Sequence, residues 1–303
     1  MCAADTPYRG RFAPSPTGPL HFGSLLAAVG SRLQACFRGG EWLVRIEDLD
    51  PPREQAGSAD DILRTLEAYG LHWDGSVLYQ SARAEVYRAA LDVLRAGAVA
   101  YPCACTRKEV AEAGGGAHAP VYPGTCRRGI PPGRPPRAWR VLTTGAQIGF
   151  EDRLQGSRRQ RLEAEVGDFI VRRADGLFAY QLAVVVDDAE QAITEVVRGS
   201  DLLESTPRQI HLQRLLGLAT PEYAHLPVAV NARGQKLSKQ THAAPLDRED
   251  PIPALWRALA FLGQRPPPEL RTAGVDELWD WAVTHWDLAK VPRRERCPMP
   301  GEE

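Results

Sequence analysis

The strongest indication of the fold is the segment Arg11-Phe12-Ala13-Pro14-Ser15-Pro16-Thr17-Gly18-Pro19-Leu20-His21-Phe22-Gly23-Ser24. Its prolines and glycines exclude a helix over most of its length. Residues 8–12, at its start, are predicted to form a strand. Ser24 can cap a helix that runs to Phe37 and stops at Gly39-Gly40, and residues 42–46 predict a second strand. This order predicts the start of an α/β unit with a parallel sheet.

The loop between this first strand and helix is a candidate binding site. It would lie at the carboxyl end of a parallel strand, where α/β proteins bind ligands, and a helix N-terminus favours anions. His21 and Gly23 would bring an imidazole and backbone N–H groups to that point. The alternative is a proline-rich connection in which His21 is only a solvated cap, and the loop alone does not decide between them.

The rest of the chain divides by its patterning. Helices are predicted at 58–69 and 84–95, a buried strand at 178–186, a strand at 193–198 and a helix from 206 to 217, and residues 228–230 lead into a turn at 231–234. Two amphipathic helices are predicted at 253–262 and 275–285. We therefore expect half of a Rossmann-like doubly wound domain in 1–100, an insertion in 101–177, the second half in 178–245, and a short helical tail in 246–303.

Composition excludes several classes of protein. The 303 residues carry 37 Lys+Arg and 38 Asp+Glu, a formal net charge of −1, so there is no bulk positive field of the kind that marks general nucleic-acid binders. No stretch approaches the roughly 18–20 apolar residues of a membrane span. The first residues lack the pattern of a signal peptide, and we expect a cytoplasmic protein without membrane contact.

A second candidate feature is the segment Lys236-Leu237-Ser238-Lys239-Gln240, which follows a turn at 231–234. Two lysines three residues apart on a loop can neutralise a polyphosphate while charge builds on the leaving group. A pair of lysines at this spacing is more often an exposed basic loop tip. The segment therefore needs support from elsewhere in the chain.

The cysteines form the third candidate feature. Cys2, Cys36 and Cys297 are scattered, whereas Cys103, Cys105 and Cys126 cluster in a segment rich in glycine and proline. Three thiolates suit a structural zinc site, which takes four ligands. By chemistry alone His118 is preferred over Tyr122 as the fourth, because imidazole is the commoner zinc ligand. Three buried cysteines packed as small apolar side chains are the alternative.

Taken together in this order, the motifs resemble those of the class I aminoacyl-tRNA synthetases. His21-Phe22-Gly23-Ser24 is similar to the HIGH signature and Lys236–Gln240 to KMSKS, although Ser24 and Gln240 depart from the last residue of each. Further segments resemble the glutamyl-tRNA synthetase branch, namely Arg45–Pro51, Leu71–Asp74, Tyr79–Ser81 and Arg198–Leu203. The resemblance covers about residues 8–245, and several motifs in register are far more specific than one.

Within that branch, the chain resembles a truncated group. Only 303 − 240 = 63 residues follow Gln240, fewer than the helical anticodon-binding region of a full glutamyl-tRNA synthetase occupies. Cys103, Cys105, Tyr122 and Cys126 match the C-x-C…Y-x-x-x-C zinc pattern of the truncated group, so the resemblance indicates Tyr122 rather than His118 as the fourth ligand. We thus expect a Rossmann-like catalytic core, a zinc-containing insertion and no anticodon-binding domain.

The resemblance also implies an activity and its ligands. The enzyme would activate L-glutamate with ATP and Mg²⁺, without tRNA, and transfer the glutamyl group to queuosine in the anticodon of tRNA(Asp). The catalytic residues would be His21 and Lys239, and the ATP-binding residues would be Ser15, His21, Gly23, Lys236 and Lys239. The glutamate-binding residues would be Arg11, Phe12, Ala13, Pro14, Ser15, Glu47, Tyr180 and Arg198. We expect a monomer.

Simpler structural explanations exist for two of these residues. Arg198 could form a helix-start ion pair with Asp201, and Glu47 could be a charge at a sheet edge. For the whole protein, the alternatives are a glutamyl-tRNA synthetase that charges tRNA(Glu) and a catalytically silent, zinc-stabilised RNA-binding paralogue.

A nearly neutral protein must bind RNA through a local patch. The insertion offers candidate phosphate contacts, which could equally be solvated surface charges. They are Arg127, Arg128, Arg134, Arg137, Arg140, Arg153, Arg158, Arg159 and Arg161.

Overall fold

A computed structural model describes residues 7–113, 121–231, 234–236 and 244–299. Cys2, His118, Lys239 and the other residues of 237–243 lie outside the described residues. In the described part of the chain, no helix is both long enough and apolar enough to cross a membrane.

The elements follow one another as an α/β chain with an antiparallel segment in its middle. The strands are β1 (Arg9–Phe12), β2 (Glu41–Ile46), β3 (Leu78–Tyr79), β4 (Ala100–Cys103), β5 (Ala138–Val141), β6 (Gln147–Asp152), β7 (Gly156–Arg161), β8 (Phe169–Arg172), β9 (Glu195–Gly199), β10 (Glu222–Leu226), β11 (Val228–Val230) and β12 (Arg296–Pro298). The α-helices are α1 (Phe22–Phe37), α2 (Ser58–Ala68), α3 (Ala84–Ala96), α4 (Arg107–Ala113), α5 (Leu162–Glu165), α6 (Tyr180–Glu190), α7 (Thr206–Leu216), α8 (Ile252–Phe261) and α9 (Val275–His285).

The parallel strands confirm the predicted α/β fold. β1, β2 and β3 pair in parallel. β9 and β10 also pair in parallel, β10 meets β6 in parallel at one residue pair, and β7 lies antiparallel at the outer edge. β1 lies beside β9, where the Thr194 backbone N–H donates to the Arg9 carbonyl at 2.9 Å. The chain order therefore reverses between β1 and β9, and ligands of doubly wound folds bind at such a switch point.

The loop of residues 13–20, between β1 and α1, is fixed by its neighbours. The Glu47 backbone N–H donates to the Pro14 carbonyl at 2.9 Å, and the Ser58 hydroxyl exchanges two 2.9 Å hydrogen bonds with the Gly18 backbone. The residue that caps α1 differs from the prediction. The helix begins at Phe22, and His21 is the N-cap, with its Nδ1 accepting from the Ser24 backbone N–H at 3.4 Å. Ser24, predicted as the cap, is already inside the first turn.

One predicted element has the wrong type. Residues 178–186 were expected to form a buried strand, but Tyr180–Glu190 is helix α6. Leu182 to Asp188 are buried without interruption, so the helix shows no polar face. A helix that is enclosed on all sides gives the same apolar run as a buried strand, and its three consecutive valines favoured the wrong choice.

The other predicted helices and strands are confirmed to within a few residues. α7 ends at Gly217, which has the left-handed φ of 66° that favours glycine. The two helices predicted in the tail are α8 and α9, and both pack on α1 in the main core cluster. β12 was not predicted, and it pairs in parallel with β11.

The segment predicted as an insertion has two structural parts. β4, β5 and β8 form an antiparallel sheet that packs with α3 and α6 in a second core cluster. The hairpin of β6 and β7 instead extends the sheet of β9 and β10. Asp152, the last residue of β6, thereby pairs with Tyr223 of β10.

Candidate active site and candidate metal site

A cavity of about 390 Å³ lies at the switch point between β1 and β9. It is lined by the carboxyl end of β1, the first turn of α1, and residues that follow β2, β9 and β10. Most of the residues that the sequence predicted as glutamate or ATP contacts line it: Arg11, Phe12, Ala13, Ser15, His21, Gly23, Glu47, Tyr180, Arg198 and Lys236. Pro14 is held beside Glu47 by its carbonyl.

Arg11 lines this cavity from β1 and is itself buried. Its Nε and Nη2 donate to the two carboxylate oxygens of Asp188 at 3.2 and 3.4 Å. Asp188 also accepts from Arg45, a fully buried arginine on β2. One carboxylate is thus shared by two guanidinium groups, and these three residues leave a net positive charge beside the cavity.

Glu47 follows β2 and supplies a carboxyl group to the same cavity. Its Oε1 lies 3.7 Å from Arg45 Nε, beyond hydrogen-bond distance, and the side chain retains 9% of its accessible surface. Burial raises the pKa of Glu47 to about 7, although the charges of Arg45 and Arg11 oppose the shift. The explanation of Glu47 as an ordinary charge at a sheet edge does not fit this environment.

Arg198, at the end of β9, is buried and held by several partners. Its Nε donates to His225 Nε2 at 3.0 Å, and its Nη2 donates to Thr206 Oγ1 at 2.9 Å and Gln209 Oε1 at 2.8 Å. Its Nη1 donates to the Tyr180 hydroxyl at 3.3 Å. Among the described residues no carboxylate pairs with Arg198, so its charge is available to a ligand.

Asp201 has a different partner from the one considered for it. It pairs with Lys236, whose Nζ lies 2.6 Å from Asp201 Oδ2, rather than with Arg198. Lys236 lines the cavity, and Pro245 forms a β-bridge with His21. The described residues on either side of 237–243 therefore lie at the cavity or against a residue that lines it.

The cysteine cluster is a second candidate site, formed beside β4 and β5. The sulfur atoms of Cys103, Cys105 and Cys126 lie within 4.8 Å of one another. The Tyr122 hydroxyl lies 3.4 Å from Cys103 Sγ and 3.6 Å from Cys105 Sγ, and it accepts from the Cys126 backbone N–H at 3.0 Å. The four predicted metal-ligating side chains thus converge, whereas His118 lies outside the described residues.

The spacing of these atoms suits a four-coordinate metal. A tetrahedral site with metal–sulfur bonds of about 2.3 Å places its sulfurs about 3.8 Å apart. Cys105 Sγ and Cys126 Sγ are 3.6 Å apart. Arg140 lies against the cluster, with Nε 3.3 Å from Cys103 Sγ and its guanidinium carbon 3.7 Å from the centre of the Tyr122 ring. This cation can offset part of the negative charge of deprotonated ligands.

Comparison with known proteins identifies the family. The family model of the catalytic domain of class I tRNA synthetases (E and Q) matches residues 8–128 and 138–267. The chain is 58% identical over 301 residues to the glutamyl-Q tRNA(Asp) synthetase of Aromatoleum aromaticum, an alignment that covers 98% of this chain and 95% of the relative. It is also 58% identical over 302 residues to that of Dechloromonas aromatica, covering 98% and 100%. The chain belongs to the family of glutamyl-Q tRNA(Asp) synthetases.

A solved structure supports the same relationship at the level of fold. The glutamate-tRNA synthetase of Elizabethkingia anophelis superposes with a TM-score of 0.81 at 25% identity, covering 98% of this chain and 69% of that one. The predicted class I catalytic fold is therefore confirmed. A class I synthetase uses an amino acid, ATP and tRNA, and the three cysteines can hold a metal ion.

The sequence did not reveal the ionisable residues that hold the ligand-facing side chains. Asp188 pairs with Arg11, His225 with Arg198, and Asp152 with His225. Asp187 accepts from Gln80 and Tyr87 in the same buried layer. The sequence does contain a signal for Asp187 and Asp188. Two carboxylates at the end of a buried apolar run must be paired with cationic or hydrogen-bonding groups, which predicts buried partners for them.

The structure separates the arginines that were considered for RNA contact. Arg127, Arg134, Arg153 and Arg158 form ion pairs with carboxylates, and Arg140 is buried. The remaining four are exposed and make no ion pair with the described residues: Arg128, Arg137, Arg159 and Arg161.

Proposed function

We propose that this synthetase activates L-glutamate with ATP to glutamyl-adenylate without tRNA, and then transfers the glutamyl group to queuosine in the anticodon of tRNA(Asp). The observation that carries the proposal is the cavity at the switch point. It combines two buried arginines, the carboxyl group of Glu47 and the first turn of α1 within about 390 Å³. The names of the relatives, at 58% identity over nearly the whole chain, support the same reaction.

The charges of the cavity match those of glutamate. A dicarboxylic amino acid has two carboxylates and an ammonium, so it needs two cationic contacts and one anionic contact. Arg11 and Arg198 supply the cations, and Glu47 supplies the anion. Glutamine would leave one arginine without an ionic partner, which is the physical basis expected for its rejection.

The hydrogen bonds of Arg198 define how it would receive a carboxylate. Its Nε and Nη2 are already used by protein acceptors, which leaves one Nη1 N–H. Because the Tyr180 hydroxyl accepts from Nη1, its own hydrogen can point to the ligand. The carboxylate would then accept one bond from Arg198 and one from Tyr180. Arg11 likewise keeps Nη1, since its Nε and Nη2 donate to Asp188.

The activation step requires positioning and charge stabilisation. A glutamate α-carboxylate oxygen attacks the α-phosphorus of ATP, an oxygen–phosphorus bond forms, and the bond to pyrophosphate breaks. His21, Ser15, Gly23 and Lys236 line the side of the cavity that would hold ATP. Lys239 would stabilise the transition-state charge from a segment whose flanks are at the cavity. The Mg²⁺ that accompanies ATP would neutralise charge on the departing pyrophosphate.

The transfer step leaves the protein unmodified. A hydroxyl of the cyclopentene diol of queuosine attacks the carbonyl carbon of the adenylate. An ester bond forms, AMP leaves with the bonding electron pair, and the hydroxyl proton is released. Since tRNA is a cytoplasmic substrate, we propose that the protein acts in the cytoplasm, and we expect a monomer.

Pyrophosphate exchange measures the first step directly. With ATP, Mg²⁺ and no tRNA, we expect exchange with L-glutamate and at least 100-fold less exchange with L-glutamine or L-aspartate. Each of these would leave a buried charge unpaired, and such a loss lowers the rate with the wrong substrate by a factor on the order of 10²–10⁴. Lys239→Ala should lower exchange by about 10²–10³, and Lys108→Ala, an exposed lysine that does not line the cavity, should leave it unchanged. Strict dependence on tRNA(Glu) would instead support a glutamyl-tRNA synthetase.

We also propose that Cys103, Cys105, Tyr122 and Cys126 hold one structural zinc ion. Few other apolar residues pack around these four side chains. Zinc would therefore stabilise this part of the chain by crosslinking residues 103–105 to residues 122–126. Metal analysis should find one zinc per chain, less than half of it in Cys126→Ser, and wild-type content in Cys36→Ser, a cysteine outside the cluster. A metal-free protein whose thermal unfolding is unaffected by chelators would show that the cysteines serve only as packing.

A further inference from the structure

The buried side of Arg198 is a chain of three ionisable groups that come from distant parts of the sequence. Asp152 ends β6, His225 lies on β10, and Arg198 lies on β9. Asp152 Oδ2 lies 2.6 Å from His225 Nδ1, and His225 Nε2 lies 3.0 Å from Arg198 Nε. His225 has no exposed surface, and Asp152 and Arg198 retain 3% and 4%.

The hydrogen atoms along this chain can be assigned. Arg198 Nε can only donate, so His225 Nε2 must accept and His225 Nδ1 must carry the proton that it donates to Asp152. Burial and the charge of Arg198 lower the pKa of His225 to about 4, against the effect of Asp152, so the ring is neutral at pH 7. A neutral imidazole with this tautomer is the form that can accept from a guanidinium.

Asp152 is well suited to fix this tautomer. Its Oδ1 accepts from the backbone N–H groups of Leu154 at 3.0 Å, Gln155 at 2.8 Å and His225 at 3.2 Å. Burial alone would raise the pKa of Asp152, but these bonds and the bond from His225 lower it below its usual value. The carboxylate therefore stays ionised and can only accept from His225.

The orientation of Arg198 has a direct consequence for the ligand. If Nε lost its acceptor, only the bonds of Nη2 to Thr206 and Gln209 and of Nη1 to Tyr180 would hold the guanidinium, and the Nη1 N–H that faces the cavity would be less firmly oriented. A neutral acceptor also holds Arg198 without neutralising it, unlike the carboxylate that holds Arg11. The full charge of Arg198 therefore remains for the substrate.

We propose that Asp152 and His225 are positioning residues that hold Arg198 in the orientation in which it binds a carboxylate of glutamate. The inference rests on the proposed function, because it takes glutamate as the ligand of Arg198. It also gives the hairpin of β6 and β7 a role in substrate binding, since Asp152 is the last residue of β6.

Two substitutions of the same histidine separate positioning from packing. The amide nitrogen of asparagine can replace Nδ1 and keep the bond to Asp152, but asparagine has no acceptor that reaches Arg198. The carbonyl of glutamine can replace Nε2 as the acceptor for Arg198. Both variants remove the ring from the same buried place, so a purely structural role predicts the same loss for His225→Asn and His225→Gln.

Pyrophosphate exchange with separate titrations of glutamate and ATP gives the readout. We expect His225→Asn to raise the KM for glutamate about tenfold or more, as for the loss of a hydrogen bond made by a charged group. The KM for ATP should stay within about twofold of the wild-type value, and His225→Gln should keep the KM for glutamate within about threefold. Asp152→Asn should resemble His225→Asn, because its amide can donate to Nδ1 and reverse the tautomer.

The outcomes that would overturn the inference are distinct. Equal losses in His225→Asn and His225→Gln, or an unchanged KM for glutamate in His225→Asn, would reduce His225 to a packing residue. A wild-type protein without glutamate-dependent exchange would overturn the proposed function itself. If the variants do not fold, nitrogen-15 NMR of the wild-type histidine rings still decides, because His225 protonated on Nε2 at pH 7 would contradict the assignment.

Discussion

At the scale of single residues, the cavity is defined by charges that the protein leaves incompletely neutralised. Among the described residues, every hydrogen-bond partner of Arg198 is neutral. Glu47 Oε1 lies 3.7 Å from Arg45 Nε, too far for a hydrogen bond. Desolvated charges of this kind are costly unless a ligand completes them. Glutamate would supply two carboxylates and an ammonium, so its binding would relieve these costs.

Glu47 gives a prediction about pH. Burial raises its pKa to about 7, so below pH 7 most of the ligand-free protein holds a neutral Glu47 that attracts an ammonium weakly. We expect kcat/KM for glutamate to rise as the pH increases from about 6 to 8, because the carboxylate ionises in that window. Glu47→Gln should lower kcat/KM about 10- to 100-fold and flatten this rise.

The control for this prediction is the response to ATP in the same titration. The KM for ATP should follow the wild-type pH profile in Glu47→Gln, since Glu47 would contact only the amino acid. A pH profile for glutamate that keeps its full slope in Glu47→Gln would show that another group titrates.

Among the secondary-structure elements, β1 and β2 position the site, and the chain segments that lead into these two strands lie in close contact. The Glu41 backbone N–H donates to the Tyr8 carbonyl at 3.0 Å, and a Cβ built on Gly40 would lie 2.2 Å from that same carbonyl oxygen. Only glycine fits there, because the obstacle is backbone and cannot rotate away.

Gly40→Ala should therefore lower the free energy of unfolding by about 2 kcal/mol or more, as overpacking against backbone does. The measurement is urea unfolding followed by fluorescence or circular dichroism. Gly149→Ala on β6 is the matched control, because its Cβ would lie an ordinary 3.8 Å from its nearest neighbour, the Arg158 carbonyl oxygen. Equal stability of the two variants would show that β1 and β2 can separate without cost.

Some elements can be predicted from local sequence patterns, and others cannot. The helix of 275–285 follows from local spacing, and α9 has these bounds. α6 could not be assigned, because enclosure on all sides removes the polar face that marks a helix. The pairing of Asp152 with His225 spans 73 residues, and no local pattern encodes it.

Considered as a whole, the molecule has a net charge of −1, so it must bind tRNA through a local group of positive charges. Much of its positive charge is compensated, as at Arg127 with Asp168 and Arg153 with Glu195. Arg159 and Arg161 are the exception on the outer strand β7, two residues apart and exposed. We propose that they contact tRNA phosphates.

The double substitution Arg159→Ala with Arg161→Ala tests this proposal. Transfer of glutamate to tRNA should lose about tenfold in kcat/KM at low salt, and its dependence on salt should become shallower, since two phosphate contacts are removed. Exchange of pyrophosphate should not change. Arg64→Ala with Arg88→Ala, two exposed arginines on α2 and α3, is the control. Identical transfer kinetics in the two double variants would exclude β7 from the RNA contact.

The destination of the glutamyl group distinguishes the proposed reaction from the charging of tRNA(Glu). Radioactive glutamate, ATP and purified protein would be incubated with tRNA(Asp) that contains or lacks queuosine, and with tRNA(Glu). Label that appears only in the queuosine-containing tRNA(Asp), and that is recovered on the queuosine nucleoside after digestion, is the predicted result. Label at the 3′ end of tRNA(Glu), or in tRNA(Asp) without queuosine, would contradict it.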